Sequence, residues 1–139
     1  MSKVIGAETA SGKIEVKGKL IAYWTVTLLL AASITLSGIG QLMRLGGNIE
    51  LVLDVGFPLY ITTILGTWKI LGVIAILMPR FPRLKEWAHA GLFFLMTGAA
   101  LAHAFASDYG DYGFHVILPL AYAALNIASW ALRPESRKL

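Results

Sequence analysis

Four apolar stretches, each about as long as a bilayer is thick, constrain this chain more than any other feature of its sequence. They run over about residues 20–43, 59–78, 87–106 and 114–132. A spanning helix needs roughly 20 mostly apolar residues, and each stretch provides them. Lipid cannot hydrogen-bond the backbone, so only helices or closed barrels cross it. The expected fold is therefore all-α, a four-helix transmembrane bundle over 20–132 with tails at 1–19 and 133–139. Composition agrees: 57% of residues are hydrophobic and 14% charged, whereas a soluble domain carries about a quarter charged residues.

The boundaries carry their own signals. Arg44-Leu45-Gly46-Gly47 follows the first stretch, Pro58 precedes the second, "PRFPR" (79–83) follows it, and "SDYGDYG" (107–113) separates the last two. Pro58 suits a first helical turn, where its missing N–H costs nothing. Pro119 falls inside the fourth stretch, where neighbouring helices can re-satisfy the freed carbonyl. The 44–58 connection mixes apolar and acidic residues, and a short interfacial helix is expected there. The N-terminus, "MSKVIGAETASGKIEVKGK", has no short apolar core close behind its start, so it does not read as a signal peptide.

Charge sets the expected orientation. Ten basic residues lie in the N-terminal tail, the 79–86 connection and the C-terminal tail, against Arg44 alone in the other two connections. This alternation places both termini in the cytoplasm of a multi-pass protein of the bacterial inner membrane. The net charge of +4 then reflects topology and contact with lipid heads, and argues against a nucleic-acid partner. The chain has no cysteine, which rules out disulfides, thiol relays and thiolate metal sites.

At helical spacing each stretch shows a polar stripe. The first has Ser33, Ser37 and Gln41; the second Thr62, Gly66, Lys69 and Val73. The third has His89, Phe93, Met96, Ala100 and His103; the fourth His115, Pro119, Tyr122, Asn126 and Ser129. Polar side chains avoid lipid, so the stripes are expected to face inward, with small residues beside them allowing close helix approach. The plainer reading is that such stripes only bond helices together.

Lys69 demands more. It lies about 13 Å from the nearer helix end at 1.5 Å per residue, about twice the reach of a snorkelling lysine. No Asp or Glu occurs within any of the four stretches. Counting depth from the outer ends places Thr97, Tyr122 and Asn126 near its level, with Trp68 beside it and Gln41 in the facing stripe. An intramembrane lysine without a carboxylate is either a hydrogen-bonded structural group or a receiver for an anion or carbonyl oxygen.

His103 and His115 flank a turn containing Asp108 and Asp111. Imidazoles there can exchange protons near neutral pH. Haem or metal ligation is the less favoured reading, since the spacing matches no established site motif. His89 sits beside Trp87, where an interfacial role is the simpler account.

These residues also resemble a known family. "GFPLYITTILGTWKILGVIAILMPRFPRLKEWAHAGLFF" (56–94), with its Gly-aromatic-Pro entry, its "WK" before Gly72 and its "PRFPRLKEWAHAG" turn, is similar to the bacterial DoxX-like family, as is the closing "SWALRP" (129–134). The resemblance covers about residues 23 to 134. It implies a small four-helix membrane protein linked with redox or quinone stress, and puts Trp68, Lys69 and His103 on motif positions. Lacking cysteine, such a chain would need a bound cofactor, a quinone or a redox partner protein. The leading expectation is a lipid-soluble, quinone-type compound held near Lys69, with protons exchanged on the His103/His115 side. The alternatives are a non-catalytic scaffold that stabilises a partner, and an isomerase or hydrolase of a hydrophobic small molecule. Self-association is expected for a bundle of this size.

Overall fold

A computed structural model describes residues 2–139 and contains no strand among them. Five α-helices follow in order: α1 (Ser2–Leu42), α2 (Glu50–Leu53), α3 (Tyr60–Leu77), α4 (Pro82–Phe105) and α5 (Phe114–Ala131). Four of them, all but the one-turn α2, are long and apolar enough to cross a membrane. The main contacts run from α1 to α3, α3 to α4, α4 to α5 and α5 back to α1. The result is a closed up-and-down ring, as short connections between sequential helices favour.

Two element boundaries depart from the sequence reading. The polar segment before residue 20 continues α1 as an exposed helix, because no proline precedes residue 58 and nothing breaks the turn. The helix of the third stretch begins at Pro82, whose fixed φ suits a first turn, after left-handed Arg80 (φ 67°) and Phe81 (φ 53°). The short helix expected in the 44–58 connection is α2, and its Val52 is buried.

The spanning helices turn large apolar side chains outward and bury polar side chains within. Leu36, Trp68, Leu71, Phe94, Leu101 and Ile117 are exposed on the spanning helices, while Thr27, Thr62, Lys69, His89, Asn126 and Ser129 are buried. That inversion is what a lipid solvent selects. Leu30, Ile34, Val73, Ile76, Leu92 and Met96 form a shared apolar core. The Thr27 and Ser129 hydroxyls share a buried hydrogen bond of 2.6 Å between α1 and α5.

The α1–α3 seam depends on glycine. A Cβ at Gly66 would stand 2.8 Å from the Gly38 carbonyl oxygen, and one at Gly38 would stand 3.2 Å from the Gly66 oxygen. Small residues thus let the two backbones touch. At the opposite end, basic side chains close the last turn of α3, whose final carbonyls have no helical partner. Lys85 donates to the carbonyls of Met78 and Arg80, and Arg137 to those of Ile76 and Leu77. Arg137 also lies over the Trp24 ring at 4.9 Å, so the C-terminal segment is tied to α1 and α3 together. Arg133 pairs with Glu86, whose other oxygen accepts from the Trp130 indole.

Candidate functional site

Between the four long helices and the 44–58 connection lies a cavity of about 490 Å³. Pockets of 300–1,000 Å³ with mostly apolar walls and a few placed polar groups are the usual form of small-molecule sites. Here the polar groups are Ser37 and Gln41 from α1, Lys69 from α3, His103 from α4, Tyr122 from α5, and Asn48 from the connection. Helical periodicity delivers the first two together, since residues four apart share a face. The Asn48 side chain lies against Gly40, where a Cβ would come within 2.6 Å of it. Glycine at 40 therefore lets the connection fold down onto the cavity.

Lys69 is 6% exposed and donates one hydrogen bond, from Nζ to Ser37 Oγ at 2.9 Å. An ammonium has three donors, and no carboxylate pairs with this one among the described residues. Gln41 is equally buried, and its Oε1 has no hydrogen-bond partner. A buried unpaired acceptor costs about 1–3 kcal/mol. The cavity thus presents spare donor capacity at Lys69 and spare acceptor capacity at Gln41, against an otherwise apolar wall.

Of the residues singled out from the sequence, Lys69, Gln41, Tyr122 and His103 line this cavity. The others go elsewhere. Asn126 accepts from His89 Nδ1 and donates to the His89 carbonyl, both at 2.8 Å, which makes a self-contained pair between α4 and α5. It does not solvate Lys69. His89 is accordingly buried between α4 and α5. The Thr97 hydroxyl donates to the Phe93 carbonyl of its own helix. Trp68 is 64% exposed on the outer face, because successive helical residues point about 100° apart. Tyr122 lines the cavity and makes no hydrogen bond with Lys69.

The partner missed by depth counting is Ser37. It lies about four residues nearer its helix end than Lys69 does, an offset of about 6 Å, which a lysine stem spans by bending. The signal was in the α1 stripe, had that helix been counted with the other two.

Beside the cavity, where His103 forms part of its wall, the α4–α5 turn assembles a second group. His103 Nδ1 donates to Asp108 Oδ2 at 2.8 Å and His115 Nδ1 donates to Asp108 Oδ1 at 3.0 Å. The ring centres lie 5.2 Å apart. These hydrogen bonds, that from His103 foremost, hold the Asp108 carboxyl below its ordinary pKa, because they favour its charged form. Left-handed Ser107 (φ 56°), Gly110 (φ 64°) and Tyr112 (φ 54°) bend the turn so that Asp108 points back between the imidazoles. Asp111 takes no part in the group.

Comparison with known proteins gives one family. The sequence profile described as the DoxX-like family matches residues 25–129. No curated protein and no solved structure matches the chain.

Proposed function

Because the chain belongs to the DoxX-like family and forms an apolar-surfaced four-helix bundle, we propose that it is an integral membrane protein that binds a lipid-soluble, quinone-type compound in the central cavity. The observation that carries this reading is Lys69: a buried cation, bonded to one hydroxyl, set in the wall of a largely apolar cavity. A quinone matches that wall in both respects. Its ring and tail are apolar, and its oxygens accept from a charged donor, a bond worth about 1.5–3 kcal/mol. His103, in the same wall, exchanges protons with the bound compound and is itself oriented by Asp108 and backed by His115. Electrons for any redox step come from a partner protein, since quinone reduction needs a donor that this chain's side chains do not supply. Both termini face the cytoplasm of the bacterial inner membrane.

Lys69→Met tests the reading. A short-chain quinone added to the purified protein should quench Trp fluorescence saturably, and the variant should lose at least about tenfold in affinity, as expected for a lost charged hydrogen bond. Equal affinity in the variant would remove Lys69 from the site. No saturable binding by either protein would favour a scaffold that stabilises a partner.

A further inference from the structure

The group of His103, Asp108 and His115 has a chemistry of its own. We propose that His103, Asp108 and His115 form a binding site for a divalent transition metal of the zinc class, with an open coordination position facing the cavity. The inference does not rest on the quinone reading; with an ion bound, His103 acts as a ligand in place of the proton exchanger described above.

The spacing of these residues in the sequence signals no metal site. The fold supplies what spacing cannot: the end of α4, the turn and the start of α5 bring three ligand atoms within 4.8 Å of one another. Two imidazoles and one carboxylate are a donor set that suits zinc and its first-row neighbours. Bonds of about 2.0–2.2 Å in a tetrahedral site separate ligand atoms by roughly 3.4 Å. His103 Nδ1 lies 2.8 Å from one Asp108 oxygen and His115 Nδ1 lies 3.0 Å from the other. With a single oxygen coordinating, its own imidazole contact opens by about half an ångström. The second imidazole turns to share that oxygen's side, which leaves the fourth position open. On binding, each imidazole presents an unprotonated Nδ1 to the metal and carries its proton on Nε2.

Preorganisation and access both fit. The ring of His115 rests on Gly110, where a Cβ would fall 2.6 Å from it and where φ is +64°. Glycine there satisfies both demands and fixes the imidazole. The side chains of Asp108 and His115 are 23% and 28% exposed, while that of His103 is 8% exposed, so an ion enters from the water side and meets the cavity wall through His103. Three protein ligands with a fourth position open is the arrangement of catalytic rather than structural zinc. A metal so placed can polarise an oxygen of a compound in the cavity, or bind water there.

The untagged protein, stripped with a chelator and held in detergent, is titrated with Co²⁺. One equivalent should bind with a visible ligand-field absorption band, and Zn²⁺ should displace it. Asp108→Asn and His115→Gln should each weaken uptake at least about tenfold while the far-ultraviolet circular dichroism stays helical. X-ray absorption on the zinc-loaded wild type, which needs no variant, should find two imidazoles in the first shell. The proposal is overturned if the wild type takes up no stoichiometric ion, if both variants bind as it does, or if that shell lacks histidine.

Discussion

Removing an ammonium group from water costs several kcal/mol unless partners repay it, and Lys69 has one, the Ser37 hydroxyl. So placed, Lys69 weakens the fold, and the proposed ligand is what would offset that cost. The expected outcome is specific. Lys69→Met, similar in volume and without charge, should leave the melting temperature in detergent equal to or above that of the wild type while quinone binding falls. A melting temperature lower by more than a few degrees would make Lys69 a structural residue. Gln41→Leu should behave likewise, since the buried Oε1 has no partner to lose. Its removal should raise stability by about 1–3 kcal/mol, read by denaturant unfolding. Inward direction was legible here because helical periodicity dictates it: Thr62, Gly66, Lys69 and Val73, one stripe in the sequence, are all buried in α3. Which partner each group meets was not. Depth alone pointed to Asn126, and only the packing of His89 against Asn126 leaves Ser37 as the partner of Lys69.

At the scale of elements, glycines and prolines decide how closely the helices pack and where they stop. Gly66→Ala places a Cβ 2.8 Å from the backbone oxygen of Gly38, whereas Gly72→Ala meets only the Leu92 side chain at 3.7 Å. The first should therefore destabilise the protein by about 1–3 kcal/mol, the usual cost of overpacking, and the second should be tolerated. Unfolding of the two variants in parallel checks the difference. Spreading of the α1–α3 seam in Gly66→Ala should also weaken ligand binding, because Ser37 adjoins Gly38 and Lys69 lies about one turn from Gly66. The C-terminal segment is the other lever. Arg137→Ala removes donors to the last carbonyls of α3 and the stacking on Trp24, and should lower stability by about 1–2 kcal/mol. Helix number and approximate ends could be read from hydropathy and breakers, and so could the short α2. The helical course of the first polar segment could not, since polarity argues against lipid and not against helix. The α4–α5 turn was equally hidden: left-handed Ser107 and Tyr112 are not residues whose identity announces that conformation.

For the whole molecule, four helices long and apolar enough to cross a membrane and an apolar exterior make the bilayer its solvent, and the basic residues give an expected direction. Ten of them fall on one side of the expected topology, with Arg44 alone on the other. Single cysteines are clean reporters in a chain that has none. In intact cells, a membrane-impermeant maleimide should label Leu45→Cys and spare Ser11→Cys until the membrane is opened. The reverse pattern would invert the topology and place the His103–Asp108–His115 group on the cytoplasmic side. Whether the proposed quinone-type ligand occupies the cavity at Lys69 can be seen most directly in a density map. The protein in a lipid nanodisc with added quinone should show density inside the bundle, with an oxygen within about 3 Å of Lys69 Nζ. Quinone density confined to the outer lipid face, with the cavity filled by water, would contradict the account.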